Sequence, residues 1–150
     1  MNAQETKTEE LIKKASSILG SFNSDEFVIF GSLAIILNGL DLRDGANDLD
    51  FFVSDDTFVK LEETFEKKFK GTNDGDIPYI ELTEEIEVFK EFKGANFKNI
   101  YNRSISSKSS YGFRIAHIFD IIEWKKVQGR QKDTDHLKQI EKQFKRIFEF

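Results

Sequence analysis

The chain contains no cysteine, one proline, one tryptophan and one methionine among 150 residues. The missing cysteine excludes disulfide staples, thiolate zinc sites and thiol nucleophiles together. No apolar run approaches the ~18 residues that cross a bilayer. The polar stretch from Met1 to Lys14, with Glu5, Glu9 and Glu10, predicts neither a secretion signal nor a transit peptide. Positive charge is also in deficit. A formal net charge of −5 argues against a protein that coats nucleic acid by charge alone. There is no Walker-type Gly-Lys-Ser/Thr and no Ser-His-Asp order. What the chain has is 39% apolar residues, 16 of its residues being phenylalanine, which supply a core. These features predict one soluble, cytoplasmic domain over residues 1–150, with no membrane partner.

Charge is unevenly spread. Asp41 to Glu91 holds 16 acidic and 6 basic residues, whereas Glu123 to Arg146 holds 8 basic and 4 acidic. An acidic middle and a basic tail suit either two solvated faces that attract each other or a metal-binding face beside an anion-binding one.

Leu11, Ile12, Ala15, Ile18 and Leu19 fall at helical spacing and predict a helix over residues 8–19, stopped at Gly20. Phe27-Val-Ile-Phe30 reads as a buried strand, Gly31-Ser32 as a break, and Leu33 to Leu37 as a short helix. After the Asp- and Gly-rich loop Asp41 to Asn47 comes a second strand, Leu49 to Val53. Ser54-Asp55-Asp56 then predicts a capped helix through Phe69. Gly71 to Asp76 is a turn cluster, and Ile77 to Leu82 and Glu85 to Phe92 read as strands. Residues 94–110 are polar and weakly patterned, and their Ser-rich patch, Ser104 to Ser110, predicts a mobile loop. Tyr111 to Ile115 suits a last strand, and helices over His117 to Gln128 and Asp133 to Phe148, broken at Gly129, close the chain. The fold class expected is α/β (α+β) around a small mixed sheet.

Chemistry concentrates around Gly31-Ser32 and Asp48-Leu-Asp50. Alternation along a strand sends Asp48 and Asp50 to the same face, where they repel unless a cation lies between them. Mg²⁺ is such a cation, takes oxygen ligands and usually brings phosphates. An exposed acidic turn suits the same residues. Gly31-Ser32, between strand and helix, offers backbone N–H groups and a hydroxyl to a phosphate, or is simply a turn with its cap. Glu87 shares a face with Glu85 and Phe89. If its strand pairs beside Leu49 to Val53, it completes a three-carboxylate, two-metal cluster for phosphoryl transfer; otherwise it is a glutamate on a wet edge. His117 and His136 read as packing or surface residues, and Trp124, Tyr111 and Phe113 as core more than as base-stacking platforms.

The order strand, Gly31-Ser32, short helix, Arg43 and Asp48-Leu-Asp50-Phe-Phe resembles the polymerase-beta-type nucleotidyltransferase superfamily. Within it, the likeness is to the small bacterial and phage-borne branch that includes the abortive-infection and minimal nucleotidyltransferases. The tail from Ile121 to Leu137 is similar to that branch's Lys…Gly-Arg-x-Lys-Asp-x-x-Asp-Leu signature, with His136 standing where the second Asp falls. The resemblance implies a nucleotidyltransferase-fold mixed sheet flanked by helices, with two C-terminal helices. It implies an NTP held by Gly31, Ser32, Arg43, Arg130 and Lys132, and Mg²⁺ (or Mn²⁺) on Asp48, Asp50 and Glu87 as the catalytic and metal residues. Lys125 would face the phosphates or the sheet edge, with Lys125 and Lys126 as a solvated face and Lys132-Asp133 as a helix-opening pair the structural alternative. The chain departs from the family at Leu33, where a basic residue is frequent, in having Glu87 for the usual Asp, and in lacking a separate helical substrate domain.

Three functions follow as expectations. One is transfer of an NMP group from an NTP to a hydroxyl acceptor on a small molecule, protein or RNA. Another is a catalytically reduced, antitoxin-like or regulatory module that recognises a partner such as a cognate toxin protein. The weakest is a nucleic-acid binder using the basic tail.

Overall fold

The computed structural model describes residues 2–73, 75–91 and 95–148. Among them lie six α-helices and a seven-stranded mixed sheet. The elements run α1 (Ala3–Ile18), β1 (Val28–Phe30), α2 (Gly31–Leu37), β2 (Leu49–Val53), α3 (Asp55–Glu62), β3 (Lys67–Thr72), β4 (Gly75–Thr83) and β5 (Ile86–Lys90). They continue with α4 (Phe97–Arg103), β6 (Ile105–Ser106), β7 (Arg114–Ile115), α5 (Ile118–Gln128) and α6 (Gln131–Phe148). The spatial order of the strands is β3-β4-β5-β2-β1-β7-β6. β2 runs parallel to β5 and antiparallel to β1, and β1 runs parallel to β7. Among the described residues no helix is long and apolar enough to cross a membrane.

The central strands are short apolar runs, as befits strands covered on both faces. One face buries Ile29, Phe51, Val88 and Ile80, where the Phe51 ring meets Phe27 and Phe113 at centroid distances of 5.5 and 4.8 Å. On the other face Trp124 of α5 packs edge-on against Phe30 and Phe89 at 6.5 and 5.3 Å. Trp124 and Phe113 are therefore core residues, as their composition suggests, while Tyr111 is exposed in a left-handed turn. His117 caps α5, accepting a hydrogen bond from the Phe119 N–H.

Two stretches differ from the sequence expectation. The helix capped by Ser54 ends at Glu62, and residues 67–72 form β3 instead of carrying that helix to Phe69. Glu62, Glu63 and Glu66 crowd its C-terminal end, where the helix dipole disfavours negative charge. The Lys67 to Lys70 segment gains a full ladder against Ile77 to Ile80. Residues 95–110 hold more regular structure than their weak pattern predicts: Asn96 caps α4, Ile100 packs into the core, and in the Ser-rich patch, which carries β6, the buried Ser110 hydroxyl donates to carbonyls. Serine there satisfies backbone groups. α1 also begins earlier than expected, capped by Asn2. Asp74 of the expected turn, Phe92 of the expected strand and residue 94 lie outside the described residues.

Candidate active site

The carboxyl end of β1 and the amino ends of β2 and β5 meet at one point. Phe30 is the register partner of Asp50, and Asp50 is the register partner of Glu87. Gly31 turns the chain from β1 into α2 with φ +68°, and a Cβ there would collide with the Asp50 carboxylate. Position 31 therefore has two reasons to be glycine: the backbone conformation and the neighbour. The close approach fastens the Gly-Ser turn to the Asp-x-Asp strand.

Ser32 follows, buried, at the opening of α2. Its hydroxyl accepts a hydrogen bond from Lys125 Nζ at 3.2 Å and lies 3.4 Å from His136 Nδ1. Lys125 is 1% exposed and also reaches Asp133 Oδ1 at 3.1 Å. Asp133 accepts the Arg130 backbone N–H, and it takes the Arg130 guanidinium through Nε at 2.7 Å and Nη2 at 3.1 Å. Burial lowers the Lys125 pKa despite Asp133. Burial would raise that of Asp133, but the Arg130 hydrogen bond and the Lys125 charge outweigh it and hold the carboxyl below the usual range. Lys125 is thus no solvated face.

On the sheet side charge is unbalanced. Burial, then the neighbouring Glu87 carboxylate, push Asp50 up to about 6 against the pull of Lys125 and Lys70. Glu87 Oε2 is ion-paired with Lys70 Nζ at 2.8 Å. His136 is driven down to about 4 by burial and by Lys125 and Lys132, which keeps the imidazole neutral at pH 7.

Two cavities share Asp48, Asp50 and Lys132 as a common wall. The larger, about 340 Å³, is bounded by Ser32, His136, Asp135 and residues 44–47. The smaller, about 50 Å³, lies over Glu87, Lys70 and Arg130. The 44–47 wall is held by Gln4 of α1, whose side-chain amide bonds both the N–H and the carbonyl of Ala46 at 2.8 Å. Larger hollows between α5 and α6, and beside α1, have mainly apolar walls and lie away from these charges.

The structure thus gathers Gly31, Ser32, Asp48, Asp50, Glu87, Arg130 and Lys132 around one cleft, and leaves Arg43 outside it. The Arg43 guanidinium is exposed and forks onto Asp135 of α6 at 3.0 and 3.2 Å. With the Gln139 and Gln143 bonds to the backbone of residues 41–43, it straps this loop to α6. Arg130 borders the cleft, but its fork is held by Asp133. Sequence reasoning missed His136, which it set aside as isolated, and Lys70; spacing along the chain carries no signal for either. Among the described residues no three His, Cys, Asp or Glu side chains form a ready-made metal cage. Asp48 and Asp50, however, offer oxygen donors of the kind a hard cation takes from one or two carboxylates, with phosphate and water filling the rest. Burial first and the Glu87 charge second raise the Asp50 pKa, and a hard cation such as Mg²⁺ or Mn²⁺ on these oxygens would offset both. No family model matches the chain, and no curated protein or solved structure matches it.

Proposed function

We propose that the chain is a metal-dependent nucleotidyltransferase of the polymerase-beta type, which moves an NMP group from an NTP to a hydroxyl acceptor and releases pyrophosphate. The observation that carries this reading is the packing of the Asp50 carboxylate against Gly31. It joins the Gly-Ser turn to an acidic pair, and Ser32, Asp48 and Asp50 together line a cavity of about 340 Å³. The zero-cysteine composition and the use of an NTP suit the cytoplasm.

A bound Mg²⁺ or Mn²⁺ would be held by Asp48 and Asp50 and would supply charge stabilisation to the reacting phosphate. The chain's own groups do the rest. The Gly31-Ser32 turn, packed against the Asp50 carboxylate, holds that carboxylate at the cleft. Lys132, exposed between the two cavities, neutralises phosphate charge. Lys125, Asp133 and His136 fix the Ser32 hydroxyl and thereby the turn. In the transfer, the acceptor oxygen bonds to the α-phosphorus as the bond to pyrophosphate breaks, and the hydroxyl proton passes to a carboxylate of the cleft.

Calorimetric titration of each NTP, with and without Mg²⁺, tests the proposal on the wild type and on Asp48→Asn. Metal-dependent binding lost in the variant supports it. Absence of binding to any NTP by a folded sample overturns it. The competing reading, a fold-retaining module for a protein partner such as a toxin, would then stand. One observation favours that module: Arg43 and Arg130 are already committed to Asp135 and Asp133.

A further inference from the structure

Glu87 is the carboxylate a two-cation site would require, yet its partner is already present. The Lys70 ammonium donates to Glu87 Oε2 at 2.8 Å, and it lies over the Tyr79 ring at 4.6 Å and the Phe89 ring at 5.0 Å. Those rings stack on each other, with centroids 5.9 Å apart. Register explains the convergence. Lys68 pairs with Tyr79 and Tyr79 with Phe89, so Lys70, Tyr79, Phe89 and Glu87 all project from one face of the sheet. A compact ammonium held by one carboxylate and two aromatic faces has charge-assisted and cation–π contacts together.

The hairpin that carries Lys70 is itself anchored. At its tip the Asn73 N–H donates to the Val127 carbonyl at 3.1 Å, and the Asn73 side chain occupies the space a Cβ on Gly129 would need. Lys70 is therefore fixed from the sheet and from the end of α5. Beside Glu87 the cavity measures about 50 Å³, room for only a few waters, whereas beyond Asp48 and Asp50 it opens to about 340 Å³.

We propose that Lys70 is a built-in cation at Glu87, so that the cleft takes a single divalent ion, at Asp48 and Asp50, and Glu87 is no metal ligand. The inference rests on the nucleotidyltransferase reading and deepens it. A second divalent ion would have to displace the ammonium from its carboxylate and from both rings.

The test is electron paramagnetic resonance of Mn²⁺ titrated into the full chain, with and without inorganic tripolyphosphate. The expected result is one Mn²⁺ per wild-type chain with an uncoupled spectrum. Lys70→Met should bind two, with the exchange coupling of ions about 3.5–4 Å apart. Two coupled ions in the wild type, or one ion in a folded Lys70→Met, overturns the role of Lys70 while leaving the nucleotidyltransferase reading intact. No bound ion in the wild type, with or without tripolyphosphate, overturns that reading and this inference with it. If Lys70→Met does not fold, Glu87→Gln decides: its single Mn²⁺ should bind within about twofold of wild type, and loss of that ion overturns the proposal.

Discussion

The two walls of the cleft handle charge in opposite ways. On the helical wall, Lys125, Asp133 and Arg130 interlock, with Asp133 0% exposed and every oxygen of its carboxylate engaged. On the sheet wall, Asp50 and Glu87 sit side by side as like charges, half-open to solvent, and Lys70 neutralises only one of them. A buried ion pair with its hydrogen bonds made, as between Lys125 and Asp133, acts as structure, because removing one member strands the other. Adjacent carboxylates at an opening are poised to take something from solution. The contrast separates what holds the cleft together from what it is for.

Asp133→Ala should have the largest effect. It leaves Lys125 buried without its carboxylate and should cost about 3–5 kcal/mol in urea unfolding. A loss near zero would mean the helical wall is not structural. Next comes Gly31→Ala, which forces a Cβ toward Asp50 at positive φ and should cost about 2 kcal/mol. Part of that loss should disappear in an Asp50→Ala background, because the collision then has no partner; a double-mutant cycle measures it.

A smaller effect tests the sheet wall by pH. With its folded-state value raised to about 6 from 3.8, Asp50 stays protonated in the folded chain over a window where the unfolded chain has released the proton. Its contribution is therefore complete below about pH 4 and is lost as pH rises through about 6. In metal-free buffer Asp50→Asn should be more stable than wild type by about 1–2 kcal/mol at pH 7.5, the gap closing toward pH 4. A variant less stable at pH 7.5 would show that Asp50 is matched after all. Smallest is Arg43→Ala. An exposed ion pair contributes about 0.2–1 kcal/mol, so urea unfolding should shift by no more than that.

The residues legible in the sequence are those whose meaning is local. Gly31-Ser32 announces a turn, Asp48 and Asp50 share a face by strand alternation, and the apolar runs around Phe51 and Val88 mark the strands whose pairing brings Glu87 beside Asp50. What stayed illegible depends on contacts across long stretches of chain. Lys67 to Lys70 continue a helical reading until β4 offers them a ladder. Lys70 meets Glu87 only through the register of two hairpins. His136 looked like a lone histidine because its neighbour, Ser32, lies 104 residues away. Arg43, placed near the acidic pair by sequence, is drawn off by an aspartate in the last helix.

That separation also sets a schedule. The cleft draws on Gln4, Ser32, Asp50, Lys70, Lys125 and His136, and the Ser32 hydroxyl finds its two partners 93 and 104 residues downstream. As the chain is synthesised from its amino end, the acidic pair and the glycine turn emerge long before the helices that fix Ser32. A ribosome-bound chain therefore carries an unfinished cleft until α5 and α6 have emerged and Lys125 and His136 can reach Ser32.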